Sequence, residues 1–412
     1  MNEYLVTIEI INDVLSGNNL NDTFNKSIMD NEVLNINKIK DITSGVIRYY
    51  EQINLILNEL VSKKISDKKV HNLIIIGMYE INYTDKPQYA IVNYIVELSY
   101  NITKNNKIKS FVNAVLRNYL RNKNELHDKF KENSVFKYSI KKWWIDKLKN
   151  DYPNDYNNIL ETNNNIPKLV LRINNLKTSL ESYKKSLETS KINYIEIDNK
   201  IILDKNIAPY NLPFFNEGFV SIQNIGAQKL IDMVDIKNGM KILDACCAPG
   251  GKMCHILENY SVDIVGIDID ENRIKKVRQN LQRLSLNANL IVADAARLDW
   301  WDNKCFDLVI ADVPCSASGT IKKNPDIKIH RRVSDIRNFV NKQQEIVINL
   351  LNVLKTGGKL LYVTCSIFPE ENEKNVLFIK EKYKNIKILK ELHIKPDKYY
   401  DGFYYCLLEK TN

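Results

Sequence analysis

The first third of the chain repeats apolar residues at the three- and four-residue spacing of amphipathic helices. The first such stripe consists of Tyr4, Ile8, Ile11 and Leu15. A later segment, residues 70–83, is apolar on nearly every side, which predicts a buried helix. Five or more short helices in succession predict an all-α domain over residues 1–125.

The next segment, residues 126–165, is rich in Asn, Asp and Lys and is predicted to form a helical linker. It contains the pair Trp143 and Trp144 beside a run of lysines. Such a pair can stack on nucleic-acid bases. A Trp pair in an amphipathic helix more often packs against a neighbouring domain, and we favour that interpretation.

From residue 166 the apolar positions alternate, as they do in strands. The predicted elements are a strand over 168–174, a helix over 179–189, and a hairpin over 193–204 that turns at Asn199-Lys200. Residues 166–225 are therefore expected to form a small α+β module, similar to an RRM. Arg172 in its first strand is interpreted as a surface or bridging residue rather than as a substrate contact.

The back half, residues 226–412, alternates apolar runs with helical periods. Predicted strands occupy 241–245, 262–270, 288–295, 306–315 and 359–366. One intervening helix is expected to run through Leu354 and to stop at Gly357-Gly358. This alternation predicts an α/β Rossmann-like fold with a mostly parallel sheet, in which ligands bind outside the carboxyl ends of the strands.

Composition narrows the functional classes only a little. The formal net charge of +9 over 412 residues favours an anionic partner such as RNA, although a Lys-rich codon bias would produce the same excess. The sequence has neither the ~18-residue apolar run of a membrane span nor a secretory leader at its start, so we expect a cytosolic protein without a membrane partner.

The number and spacing of the cysteines argue against a structural role for them. All seven cysteines follow residue 245, and they include no C-x-x-C pair. A disulfide framework and a structural zinc site are therefore not expected.

Acidic residues and glycines collect at the predicted strand ends. The segment DACCAPGGKM (244–253) places Gly250 and Gly251 after the first strand of the sheet, where the backbone can approach a ligand. It matches neither a dinucleotide fingerprint nor a phosphate loop. Asp268 ends the second strand, where an acid typically holds ribose hydroxyls, and Asp294 ends the third, where it can meet an adenine amino group. Together these residues predict a nucleoside site.

Two thiols lie at the ends of the last two predicted strands. Cys315 lies in DVPCS (312–316), and Cys365 lies in TCS (364–366). A buried cysteine is usually inert, but two thiols beside nucleoside-binding acids argue for function. Methylation of cytosine at carbon-5 needs such a thiol, because addition to carbon-6 makes carbon-5 nucleophilic.

These motifs resemble those of RNA 5-methylcytosine methyltransferases of the NOL1/NOP2/Sun family. DACCAPGGKM is similar to the family's D-x-C-A-A-P-G-G-K-T, DVPCS to D-A-P-C-S, and VTCSIFPEENE to T-C-S-x-x-P-E-E-N. The segment KSFVNAVLRNYLR in the front half resembles the late helix of the NusB-like RNA-binding domain. The segment GFVSIQNIGAQ (218–228) is similar to the family's V-Q-D-x-x-A-Q. The departures are Cys247 in place of Ala, Met253 in place of Thr, and Asn224 in place of Asp in this last motif.

The resemblance implies roles that the residues alone do not give. S-adenosylmethionine is expected to be held by Cys246, Cys247, Ala248, Pro249, Gly250, Gly251, Lys252, Asp268, Asp294 and Asp312. Cys365 is expected to be the nucleophile, Cys315 to assist release of the covalent adduct, and Asp312 to contact the cytosine as well. The implied substrate is 16S rRNA, free or partly assembled into the small subunit, with cytosine 967 as the target and no action on DNA.

Three alternatives remain open at this point. A DNA cytosine methyltransferase would use Cys315 as the nucleophile. The substrate of an RNA enzyme could be a transfer RNA instead of rRNA. A non-catalytic RNA-binding or assembly factor could retain the same scaffold.

Overall fold

The computed structural model describes residues 2–29 and 35–411. They form two compact units. The first unit comprises the described residues up to Asn165 together with Ile321–Arg331, and the second comprises Ile166–Thr320 and the chain from Arg332 onward. The boundaries at residues 125, 165 and 225 stay predictions.

Helices dominate the first unit and alternate with strands in the second. In chain order they are α1 Glu3–Leu15, α2 Leu20–Met29, α3 Ile36–Leu60, α4 Lys68–Tyr83, α5 Gln88–Thr103, α6 Asn106–Phe130, α7 Ser134–Tyr138, α8 Lys142–Asp151, α9 Tyr156–Thr162, α10 Leu180–Thr189, α11 Ile225–Gln228, α12 Leu230–Met233, α13 Gly251–Leu257, α14 Glu271–Leu284, α15 Ile327–His330, α16 Val333–Asn352 and α17 Glu373–Lys382. Within the described ranges, none of them is long and apolar enough to cross a membrane.

The predicted buried helix is confirmed as α4. Asp67 caps its start by accepting hydrogen bonds from the backbone N–H groups of Lys69 and Val70. The side chains from Leu73 to Ile76 are all fully buried, so this helix lies at the centre of the helical unit. Trp144 in α8 is fully buried as well, which excludes it as an open platform for base stacking.

Strands form two separate sheets in the second unit. They are β1 Val170–Ile173, β2 Tyr194–Ile197, β3 Lys200–Leu203, β4 Val220–Ile222, β5 Lys241–Ala245, β6 Asp263–Asp268, β7 Asn289–Val292, β8 Phe306–Asp312, β9 Leu354–Thr364, β10 Ile386–Ile394 and β11 Phe403–Lys410. The small sheet is antiparallel with the order β2-β3-β1-β4. Its hairpin turns at Asp198-Asn199, one residue earlier than predicted, because Lys200 already pairs with Ile197.

The large sheet has the order β10-β11-β9-β8-β5-β6-β7. The five strands from β5 to β9 run parallel and confirm the predicted α/β fold, whereas β10 and β11 are additional antiparallel strands that were not predicted. The predicted end of α16 is wrong, because the helix stops at Asn352 and Leu354 already pairs with Phe306. Gly357, with φ of 76°, lies in an irregular part of β9, where a bulge replaces the expected helix stop.

Candidate active site

The residues singled out in the sequence lie at one edge of the large sheet. Asp268 is the last residue of β6 and Asp312 the last of β8, while Cys365 directly follows β9. Asp294 lies two residues beyond β7, and the loop that starts at Cys246 follows β5. The carboxyl ends of the parallel strands therefore carry all of these groups, as the alternation of elements predicted.

The two thiols are neighbours. The Sγ atoms of Cys315 and Cys365 are 3.4 Å apart, and both residues are partly exposed. Their backbones are tied together, because the N–H of Gly319 donates to the carbonyl oxygen of Cys365 at 2.9 Å. The hydrogen bond to Cys365, followed by burial, raises the pKa of the Cys315 thiol well above its ordinary value. Cys315 is therefore a neutral thiol at pH 7.

A buried carboxylate holds the two thiol-bearing loops in place. Glu371 Oε1 accepts hydrogen bonds from the backbone N–H of Ser316 at 2.7 Å and from Gln343 Nε2 at 3.1 Å, and its Oε2 accepts one from Ser366 Oγ at 2.5 Å. Ser316 follows Cys315, and Ser366 follows Cys365. One side chain thus fixes the residue after each thiol.

Hydroxyl groups extend this connection between the loops. Ser316 Oγ and Ser366 Oγ are 3.1 Å apart, and Ser318 Oγ lies 3.0 Å from each of them. These side chains are buried, so the loss of one partner would leave polar atoms without water. Glu371 lies in the P-E-E-N motif, but the motif alone did not predict this contact between the two loops.

A lysine–carboxylate pair lies beside the thiols. Lys252 Nζ is 2.5 Å from Asp312 Oδ2. Burial alone would lower the pKa of Lys252, but Asp312 and, to a smaller degree, Cys365 and Asp244 raise it. Lys252 therefore remains a cation close to Cys365.

The remaining acids surround the loop after β5. Asp268 accepts hydrogen bonds from the backbone N–H groups of Ala248 at 3.2 Å and Asp270 at 3.1 Å. Asp294 lies partly exposed, 3.4 Å from Lys342 Nζ. Asp244, at the end of β5, is fully buried, and neither of its oxygens has a hydrogen-bond partner among the described residues. Burial, then Asp312, raises the pKa of Asp244 to about 8.

The adjacent cysteines of this loop differ in their surroundings. Cys247 packs into the hydrophobic core between the sheet and α14. Cys246 lies near the acids, and burial followed by Asp312 and Asp268 raises the pKa of its thiol. Burial, then Asp244 and Asp268, also raises the pKa of the Cys247 thiol, so the two cysteines differ in exposure while both lie near the acids.

Arg172 is confirmed as a bridging residue, while the surface alternative is wrong. Its guanidinium is buried and forms a bidentate ion pair with Glu258, with distances of 2.8 and 2.6 Å. It also donates to the carbonyl oxygen of Gly251 at 2.7 Å. Strand β1 of the small sheet is thus connected directly to the glycine loop of the large one, although nothing in the sequence identified Glu258 as the partner.

The fold and the site together define the class of protein. A Rossmann-like methyltransferase domain follows a small ferredoxin-like module and a NusB-like helical domain. Family models agree with this division. The NusB family matches residues 3–121, the ferredoxin-like domain of RsmF/B-like methyltransferases matches 141–208, and the 16S rRNA methyltransferase RsmB/F family matches 231–407.

Individual relatives match the chain over most of its length. Ribosomal RNA small subunit methyltransferase B of Vibrio cholerae is 35% identical over 388 residues, which cover 91% of this chain and 89% of that protein. The crystal structure of PH0851 shares the fold over 100% of this chain and 99% of its own, with a TM-score of 0.81 and 22% identity. A methyltransferase homologue from Pyrococcus horikoshii has a TM-score of 0.59 and 25% identity, and covers 67% of this chain and 97% of its own. The chain belongs to the RsmB family of ribosomal RNA small subunit methyltransferases.

Proposed function

We propose that this chain methylates carbon-5 of a cytosine in 16S rRNA through a covalent bond between Cys365 and the base. The observation that carries the proposal is the pair of Sγ atoms, 3.4 Å apart, beside the Lys252–Asp312 ion pair. Family membership supports rRNA of the small subunit as the substrate. The motif resemblance supports cytosine 967 as the target, on RNA that is free or partly assembled, with no action on DNA.

The residues at the sheet edge fit S-adenosylmethionine, whose sulfonium would supply the methyl group. Asp268 and Asp294 offer acceptors for ribose hydroxyls and an adenine amino group. The backbone of the loop from Cys246 to Lys252, together with Asp312, would complete the site. The buried carboxyl group of Asp244 suits a cationic ligand, because a positive charge nearby would favour its ionised form.

The proposed reaction begins with the thiolate of Cys365. Its sulfur forms a bond to carbon-6, and the electron pair of the 5,6 double bond moves toward carbon-5, which becomes nucleophilic. The charge that builds on the ring needs hydrogen-bond donors and a cation nearby. Lys252 supplies the cation, and Asp312, held by Lys252, is positioned to contact the amino edge of the cytosine.

Release requires the reverse movement of electrons. Solvent water accepts the proton on carbon-5, the electron pair of that C–H bond restores the 5,6 double bond, and the bond between carbon-6 and the sulfur of Cys365 breaks. Cys315 is a neutral thiol at hydrogen-bond distance from that sulfur. It can donate a hydrogen bond to the departing thiolate and so assist the breakdown of the adduct.

Two single substitutions test this division of roles. Cys365→Ala should abolish both methylation and adduct formation. Cys315→Ala should still attack and methylate, and should accumulate as an RNA-linked band on a denaturing gel. A trapped band in Cys365→Ala and no reaction in Cys315→Ala would instead assign attack to Cys315. Wild-type behaviour of either variant would contradict the proposal.

The target is tested separately by bisulfite mapping of 16S rRNA and tRNA from a deletion strain. Loss of one 5-methylcytosine, at position 967 of 16S rRNA, is expected. Loss in a tRNA, with 16S rRNA unchanged, would refute the proposed substrate.

A further inference from the structure

The thiol pair has a property that the proposed methylation does not use. Attack and release would each use one sulfur at a time. The two Sγ atoms nevertheless lie 3.4 Å apart, close enough to react with each other. Both residues are partly exposed, so a small molecule can reach them. Two accessible thiols at this distance are the usual precursors of a reversible disulfide.

We propose that Cys315 and Cys365 are a site of reversible oxidation, in which a hydroperoxide converts the pair to a disulfide. The thiolate of one cysteine attacks a peroxide oxygen, becomes a sulfenic acid and releases water or an alcohol. The second thiol then attacks that sulfur, an S–S bond forms, and hydroxide leaves with the thiol proton as water. Two thiols are oxidised by two electrons and the peroxide is reduced by two, so the step is balanced.

Disulfide formation would require only a small movement of the two sulfur atoms. A disulfide has an S–S distance of about 2.05 Å, so the sulfurs must approach by about 1.4 Å. The backbones are already fixed at a short separation, since the N–H of Val313 donates to the carbonyl oxygen of Val363 at 3.2 Å and that of Gly319 to Cys365 at 2.9 Å. We therefore expect rotation of the two side chains to close the remaining distance while the buried contacts of Glu371 stay in place.

The other cysteines are less suited to this reaction. Cys247, Cys254 and Cys406 are buried, which keeps peroxide away from them. Cys305 is partly exposed but precedes β8, at the opposite end of the strand from Cys315. Cys246 is partly exposed as well, but burial and the nearby Asp312 raise the pKa of its thiol and so disfavour the reactive thiolate. The disulfide would block the nucleophile of the proposed reaction and would protect it from irreversible oxidation until a dithiol reduces it.

The experiment measures thiols in the full-length protein without RNA, so its result does not depend on the methylation proposal. Cys305 and Cys315 share one tryptic peptide, residues 305–322, while Cys365 lies in residues 360–374. The reference protein therefore carries Cys305→Ser. In this protein, any disulfide between the two peptides must join Cys315 to Cys365. The protein is treated with hydrogen peroxide, alkylated, digested and analysed by mass spectrometry, with and without dithiothreitol.

The expected product is a linked pair of these peptides, about 2 Da lighter than their sum because two hydrogens are lost. Dithiothreitol should restore both free thiols. In Cys315→Ser, peroxide should instead oxidise the thiol of Cys365 to the sulfinic acid, and dithiothreitol should not restore the free thiol. Persistence of both free thiols in the reference protein, over-oxidation of Cys365 despite Cys315, or a link to another cysteine would each overturn the proposal.

Discussion

The carboxylate of Glu371 offers the most direct test of how the fold positions the two thiols. Its side chain is fully buried and accepts hydrogen bonds from Ser316, Gln343 and Ser366. Replacement by alanine removes all three acceptor contacts while leaving both cysteines in the chain. The variant Glu371→Ala therefore separates the position of the thiols from their presence.

The cost can be worked out from the partners. Ser366 Oγ keeps hydrogen bonds to other hydroxyl groups in this variant. The two donors left without their acceptor are the backbone N–H of Ser316 and one N–H of the Gln343 amide. A buried donor left unpaired costs about 1–3 kcal/mol, which gives about 2–6 kcal/mol for two. Water that enters the space of the lost carboxylate would recover part of this, so we expect a loss of about 2–4 kcal/mol.

Urea unfolding at pH 7 measures this loss directly. Glu371→Gln keeps an acceptor for Ser316 and should cost less than the alanine variant. Glu370→Ala removes the neighbouring acid, which is partly exposed, and serves as the matched control. The methylation rate of Glu371→Ala should fall while its affinity for S-adenosylmethionine is unchanged. A stability within about 0.5 kcal/mol of wild type, together with an unchanged rate, would refute the positioning role.

Three further predictions concern the cofactor site, pH and RNA. Asp268→Ala should weaken binding of S-adenosylmethionine about tenfold or more, because unpaired ribose hydroxyls cost ~1–3 kcal/mol; calorimetry that finds unchanged affinity would exclude Asp268 as the ribose ligand. Burial, then Asp312, raises the pKa of Asp244 from 3.8 to about 8, so the folded state binds this proton more tightly than the unfolded chain. Stability without cofactor should therefore decline between pH 3.8 and about pH 8, and Asp244→Asn should remove that decline; parallel pH profiles of unfolding for the two proteins would contradict this assignment. The basic face of α6, formed by Lys107, Lys109, Arg117 and Arg121, is expected to contact phosphates. The double variant Lys107→Ala/Arg121→Ala should reduce the slope of log affinity against log salt by about two, with Lys237→Ala as control; an unchanged slope would count against an RNA-binding role for this face.

Most of the sheet edge could be predicted because its information is local. Each of the strands β5, β6, β7 and β8 is a short apolar run that ends at an acid or a turn, and parallel strands must present those ends at one edge. Strand β10 gives a weaker signal, since the register shift between Ile388 and Lys390 interrupts its alternation of polar and apolar residues. Among the described strands it pairs with β11 alone. The antiparallel strands were therefore missed, although β11 is almost completely buried.

The contacts that position the site are not local. Glu371 connects residues that lie 28 and 55 positions away in the sequence, and Arg172 reaches Glu258 over 86 positions. No periodicity or spacing encodes such pairs, because each partner alone is an ordinary polar residue. They become identifiable only when the topology places β8 beside β9, and β1 beside the glycine loop.

The roles of the two cysteines must also come from their surroundings, because isolated thiols are chemically equivalent. Lys252 lies close to Cys365, which helps to raise the pKa of the lysine and so favours its charged form. Cys315 has its pKa raised by its hydrogen bond to Cys365 and by burial, so it stays protonated. A pair with one sulfur near a cation and one neutral sulfur at 3.4 Å can both attack and assist departure. The same short distance exposes the pair to oxidation, so the arrangement that would make release efficient also makes the thiols sensitive to peroxide.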